Sequence, residues 1–187
     1  MAYLESVPSF REIAERLSLI QRWNGRTTIP WTVLQHTILA ATLLPDDALP
    51  HLRLTVLLHD AAEGWTGDIP RGFKCPEQVD LENDILAEIY LGHRLVPVWT
   101  QSVKRSVRYV DDFAAMAEAQ CFCHPVERRA VSARHLSAHI PNTALVERGE
   151  NILWGMRDLP RAEAINLWVK AVERTLADMN IPEEERI

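Results

Sequence analysis

The stretch Leu52-Arg53-Leu54-Thr55-Val56-Leu57-Leu58-His59-Asp60-Ala61-Ala62-Glu63-Gly64-Trp65 decides how this chain is read. Leu54 to Leu58 alone would suit a buried strand as well as a helix, because a short apolar run has no period that separates the two. Ala61, Ala62 and the lack of a partner strand elsewhere favour helix. The apolar run then ends in a His–Asp pair. An unpaired carboxylate buried there is costly, so Asp60 must meet a cation, a donor or a proton. On a helix Glu63, three residues after Asp60 and four after His59, projects from the same side one turn on.

Outward from this run the punctuation is helical. The chain holds only 7 Gly in 187 residues, and none lies between His93 and Arg148. Pro and Gly gather at Gly25 to Pro30, Pro45 to Pro50, Gly64 to Pro76, Gly92 to Pro97 and Pro125 to Pro160, leaving intervals of helix length. Ser9 and Glu12 have capping-box spacing before the stripe Ile13, Leu17 and Ile20. Trp31 to Leu44 is apolar on every side, as a central helix is. Val79 to Leu91 and Val98 to Phe122 carry further helical patterns, and Ile165, Trp168, Val169, Val172, Leu176 and Met179 form the clearest amphipathic stripe. Pro125 to Pro160 is polar and ambiguous. The expected class is all-α, with five or six principal helices.

Composition bounds the function. At 187 residues the chain is one domain, long enough to bury about two-thirds of its unfolded surface without disulfide or structural metal. With 26 Asp plus Glu against 20 Lys plus Arg the net charge is -6, which argues against coating duplex nucleic acid. Cys75, Cys121 and Cys123 are odd in number and contain no CxxC pair, so a secreted disulfide framework is not expected. Met1 to Phe10 lacks a cationic and an apolar region, and no apolar run reaches spanning length, so a cytoplasmic protein without membrane attachment is expected.

Two further polar residues interrupt apolar helices: His36 within Val33 to Leu39, and the pair Asp111-Asp112 within Val98 to Phe122. A His, a His–Asp pair and a distant Asp offer two nitrogens and two oxygens, a set suited to a divalent first-row metal with positions open for water and substrate.

His36, His59-Asp60 and Asp111, in that order, resemble the H…HD…D signature of the HD-domain metal-dependent phosphohydrolases. Arg22-Trp23, His36, His59-Asp60-Ala61-Ala62-Glu63 and Thr66-Gly67-Asp68-Ile69-Pro70 together are similar to the bacterial 5'-deoxynucleotidases and the related phage deoxynucleotide triphosphohydrolases. The resemblance spans about residues 19–118 of a single HD domain over 1–187, with a C-terminal helical extension near 160–180. Asp111 is chosen over Asp112 because Glu118 follows it by seven residues, as in the family. Gln35 departs from the family's Glu at that place, which bears on tuning around the metal.

The resemblance implies an HD-domain helical bundle with one divalent ion (Mn, Co, Zn, Fe, Ni or Mg) on His36, His59, Asp60 and Asp111. It implies Arg22 as a phosphate clamp, Trp23 against the sugar, Glu63 orienting or deprotonating water, and Asp68 assisting proton traffic to the leaving oxygen. The activity implied is hydrolysis of a deoxynucleotide, with monophosphate favoured over triphosphate, a small-molecule substrate and a homo-oligomeric enzyme. A non-catalytic nucleotide-binding module is the alternative, as is Arg22 serving only to cap the first helix. Asp112 is read as solvated or paired with an Arg. Arg71, Lys74, Arg105 and Arg108 are read as surface charge, and His51, His93, His124, His135 and His139 carry no assignment.

Overall fold

The computed structural model describes residues 3–70, 73–126, 128–129 and 143–179. In chain order the bounded helices are α1 (Phe10–Leu17), α2 (Val33–Leu43), α3 (Pro50–Leu58), the single turn α4 (Glu63–Thr66), α5 (Pro76–Gly92), α6 (Gln101–Phe122), α7 (Thr143–Met156) and α8 (Arg161–Asp178). A 3-10 turn, Arg22–Gly25, lies between α1 and α2. No strand forms among the described residues; only the isolated bridges Gln21↔Thr32 and Thr27↔Cys123 occur. The all-α architecture is the one expected. Arg71, His135 and His139 lie outside the described residues.

Side-chain caps start α1, α2 and α6. Ser9 accepts the Glu12 N–H at 3.2 Å to open α1, while the Glu12 side chain turns to Arg16 instead of closing the box. Thr32 and Gln35 form a complete capping box at the head of α2. That helix is buried at every position from Val33 to Ala41, and it packs on α1, α3, α6, α7 and α8. Its all-round apolar sequence is the consequence of that central place.

The periodic stripe near the C-terminus behaves as its spacing demands. Ile165, Trp168, Val172 and Leu176 are buried, and α8 packs on α1, α2 and α3, closing the core against the helices that carry the polar residues. Among the helices of eight residues or more, α7 is the one the sequence left ambiguous. Its apolar contribution is small, Val146, Leu153 and Met156, but Gly149 lets its backbone come close to α6: a Cβ at Gly149 would lie 2.9 Å from the Ala117 Cβ.

The continuous helix expected through Trp65 is interrupted. After Leu58 the chain advances in i→i+3 hydrogen bonds, Ala61 to Leu58, Glu63 to Asp60 and Gly64 to Ala61, before α4. The His59 ring contributes by donating Nδ1–H to the Val56 carbonyl at 2.7 Å, a helix-end acceptor.

The tight α6–α7 approach sets a stability prediction. Gly149→Val should lose about 1–3 kcal/mol in urea unfolding because the added methyls meet the Ala117 side chain. Gly155→Ala in the same helix, where nothing lies within 4 Å of the added carbon, should be neutral or gain up to about 1 kcal/mol. Equal stability of both variants would mean that the close approach does not matter.

Candidate active site

Helices α2 and α6, the turn after α3 and the turn after α1 bring their polar residues to one place. His36, on the second turn of α2, is fully buried. Its Nδ1 lies 2.6 Å from Glu118 Oε1, and its Nε2 lies 3.1 Å from Asp111 Oδ1 and 3.7 Å from Asp60 Oδ2. His59 repeats the arrangement. Its Nδ1 is engaged by the Val56 carbonyl, and its Nε2 faces Asp60 Oδ2 at 3.2 Å and Asp111 Oδ1 at 3.9 Å. In each ring the outer nitrogen is held by an acceptor, so in the neutral tautomer protonated there the inner nitrogen has a lone pair free for a cation.

That inner face is short of positive charge. The His59 Nε2 is buried without a hydrogen-bond partner, since its 3.2 Å approach to Asp60 is close but poorly aligned. The donor atoms of His36, His59 and Asp60 all lie within 4.8 Å of one another, and Asp111 reaches both rings. Two imidazole nitrogens and carboxylate oxygens converging at such spacing fit a divalent first-row cation. Burial and the Arg22 guanidinium push the His36 imidazole down, yet the Glu118 and Asp111 carboxylates outweigh them and raise its pKa to about 10. Burial likewise opposes ionisation of Asp60, but the two imidazoles hold its carboxyl well below the usual range. The acids thus demand a cation, and protonated imidazole is a substitute for it.

Arg22 and Trp23 enter from the turn after α1. Trp23, Asn24 and Gly25 all have positive φ, at 59°, 51° and 71°. Two successive non-glycine residues there cost on the order of 1–2 kcal/mol each. The turn is tied by the Arg22 N–H to the Trp31 carbonyl at 2.8 Å, and the Trp23 indole N–H donates to Glu118 Oε2 at 3.1 Å. Arg22, 12% exposed in its side chain, lies 3.5 Å from Glu118, 3.8 Å from Asp60 and 3.9 Å from Asp68. It does not cap α1, which ends at Leu17.

Glu63 is 4% exposed, and its Oε2 has no partner. Burial first, then the Asp60 and Asp68 charges, push its carboxyl well above the usual range, against the pull of Arg22 and Lys74. Burial also raises Asp68, with Arg22 opposing. Lys74, read in sequence as surface charge, is only 15% exposed in its side chain and bonds Glu63 Oε1 at 3.3 Å and Glu82 Oε2 at 2.6 Å. Thr66 donates to the other Glu82 oxygen at 3.2 Å.

Other residues fall elsewhere. Asp112 is buried and 3.6 Å from Arg108 Nε, so of the two expected states it takes the pairing with an Arg. Gln35 caps its own helix and reaches the Met156 carbonyl at 3.4 Å. His93 is buried, stacked on Phe10 and 2.8 Å from the Pro8 carbonyl, where it fastens the N-terminal segment to the end of α5. Trp31 and Trp168 are core, while Trp154 is 53% exposed. No helix among the described residues is long and apolar enough to cross a membrane.

Glu63 makes its own prediction for the metal-free protein, prepared with a chelator. Below pH 4.5 its acid is protonated folded and unfolded alike, and resembles Gln. Above its raised folded pKa it is ionised in both states, and the native state bears the full burial penalty. Glu63→Gln should therefore match the parent near pH 4.5 and exceed it in stability as pH rises, by about 1.4 kcal/mol for each unit between the two pKa values. Denaturant unfolding across pH measures it; a difference that stays flat or shrinks would refute the buried-acid description.

Comparison with known proteins adds the fold. No family model matches the chain. It is 32% identical over 118 residues to an uncharacterised protein of Rhodobacter capsulatus, covering 58% of this chain and 60% of that one. It is 34% identical over 95 residues to the uncharacterised protein YfdR of Escherichia coli K12, covering 50% and 51%. The chain thus spans about half to three-fifths of the length of these curated relatives. Among solved structures it is similar to the cyanophage S-2L HD phosphohydrolase DatZ, bound to dA and one catalytic Zn2+ ion. The TM-score is 0.51, the identity 22%, and the coverage 88% of this chain and 95% of that one. The chain therefore has the helical fold of an HD phosphohydrolase, with His36 and the His59–Asp60 pair clustered inside it.

Proposed function

We propose that this protein is a metal-dependent phosphohydrolase of small deoxynucleotides, acting on 5'-monophosphates to give a deoxynucleoside and inorganic phosphate. The observation that carries the reading is the pair of imidazoles, each with its outer nitrogen held and its inner nitrogen turned onto the same carboxylates. His36, His59, Asp60 and Asp111 would hold the divalent ion, which, when bound, polarises the phosphoryl group and lowers the pKa of water. The fold neighbour's Zn2+ and dA agree with this choice of metal class and ligand.

The chain's own residues divide the remaining work. Glu63, raised toward neutrality and with one oxygen unpartnered, is suited to orient water and take its proton. Asp68, beside Arg22 and also raised, would return a proton to the leaving oxygen. Arg22 would meet the phosphate through its planar fork, and the Trp23 ring would cover the deoxyribose. A nucleotide-binding module without catalysis has no use for a buried, half-satisfied acid such as Glu63, which favours the enzyme.

Charge favours the monophosphate over the triphosphate. Among the described residues, Asp60, Glu63, Asp68, Asp111 and Glu118 stand against Arg22 and Lys74, and both of those cations are already matched by carboxylates. A polyphosphate tail would need further positive charge there.

Phosphate release from all dNMPs, dNTPs and the matching ribonucleotides, with Mn, Co, Mg and Zn, tests the reading. The expected result is dNMP hydrolysis with a preference for deoxyribose of about 10-fold or more, the scale set by burying an unpartnered hydroxyl. No release from any nucleotide would overturn the enzyme; equal efficiency on both sugars would overturn the sugar assignment alone. Two variants then separate binding from chemistry. Asp60→Asn should lose the metal by elemental analysis, a neutral amide being a poor ligand for a hard cation. Glu63→Ala should keep it while kcat falls on the order of 10²-fold or more. Full metal content in the first, or full turnover in the second, would remove that residue from its role.

A further inference from the structure

Glu118 is fully buried on α6, two turns beyond Asp111, and its two oxygens face different parts of the site. Oε1 accepts from His36 Nδ1 at 2.6 Å. Oε2 accepts from the Trp23 indole N–H at 3.1 Å and lies 3.5 Å from both Nε and Nη2 of Arg22. Three donors from two separate segments of chain thus converge on one carboxylate.

We infer that Glu118 is a positioning residue that couples the metal-facing His36 to the Arg22–Trp23 turn. The assignment of those two halves rests on the function proposed above; the coupling rests on the geometry. The His36 ring has two nitrogens, and the acceptor at Nδ1 fixes both its orientation and which nitrogen is free. The turn at Trp23 and Asn24 has an unfavourable backbone, φ 59° and 51°, so it needs a tertiary contact to hold it. The indole hydrogen bond to Glu118 is such a contact. A carboxylate is rigid and planar, so a shift that follows one donor moves the oxygen offered to the other. Occupation of the metal-facing side and the pose of the turn are then linked, and the linkage is reciprocal.

Glutamine separates this role from a merely structural one, because its amide has one acceptor oxygen and must present NH2 to one of the two donors. Metal affinity is measured by calorimetric titration of Zn2+ or Mn2+ into chelator-stripped protein, for the parent, Glu118→Gln, Trp23→Phe and the double variant, with circular dichroism to establish folding. Glu118→Gln should weaken metal binding about 10–100-fold, the usual cost of removing a partner of a ligating His. Trp23→Phe keeps an aromatic ring but loses the indole N–H together with the five-membered ring that carries it. It should weaken metal binding by about threefold or more in the parent, the lower end of couplings within one network, and have no effect in the E118Q background. Parent-like affinity in Glu118→Gln, or the same Trp23→Phe effect in both backgrounds, would overturn the coupling. If Glu118→Gln does not fold, parent-like metal affinity in Trp23→Phe alone overturns it. None of these titrations uses a nucleotide, so a chain that hydrolyses nothing would end the functional reading while leaving this one to stand or fall on metal affinity.

Discussion

Carboxylates and imidazoles buried against one another are the constraint on which the rest of the structure depends. Asp60, Asp111 and Glu118 crowd around the His36 and His59 rings, within a shell of apolar helices. Such an arrangement is unfavourable by itself, because burial disfavours each charge and the acids repel one another. It is tolerated because a large core surrounds it. Trp31 and Trp168, with Leu34, Leu39, Leu57 and Leu58, are almost wholly buried around the same helices. The apolar packing of α2 on all sides is thus a condition for placing a histidine there, and a cation is what would relieve the cluster.

Rigid elements and a strained turn share the site unequally. The clustered groups His36, Asp111 and the His59–Asp60 pair come from α2, α6 and the turn after α3, all locked into the core. Arg22 and Trp23 come from a turn that opposes its own backbone preference. On the function proposed above, precise placement of metal ligands needs rigidity whereas a substrate must enter and leave, so the strained turn would be the segment to meet substrate. Lys74 follows the same division. It sits in the loop before α5, yet its bonds to Glu63 and Glu82 tie the acid on α4 to a long helix.

The fold was largely legible in the sequence, and the site partly so. Sparse glycine, the stripe from Ile165 to Met179 and the all-apolar Trp31 to Leu44 each state a period or a burial that local reading detects. Helix α7 escaped because its buried stripe, Val146, Leu153 and Met156, is broken at Gly149, whose docking against Ala117 uses no apolar side chain. The break after Leu58 escaped because i→i+3 and i→i+4 turns share nearly the same residues. Lys74 lay hidden for another reason: nothing local distinguishes a loop lysine in solvent from one folded back onto an acid eleven residues earlier. Glu118 did leave a signal. It stands alone in Ala114-Ala115-Met116-Ala117-Glu118-Ala119, and the test that singled out His36, a polar residue without an exposed face, would have singled it out too.

Departures from local rules gather in one place. A histidine and a glutamate stand in apolar stretches of their helices, an acid is buried with an oxygen unpartnered, and two of the three described non-glycine residues with left-handed backbone, Trp23 and Asn24, lie beside them. Away from the cluster the caps, stripes and turns mostly agree with the fold they serve, from Ser9 on α1 to Thr100 on α6. If these conflicts were accidents of drift they would be scattered over the chain. Each is destabilising separately, and together they form one set of contacts, His36 to Glu118 to Trp23 and Arg22, with Glu63 beside Asp60. Local choices in a foldable sequence support the global structure except where another demand outweighs them. Arg94, with φ 55°, and the Tyr90 hydroxyl are exceptions elsewhere, yet the gathering of so many around His59 and Asp60 is itself an argument that this cluster is the functional site.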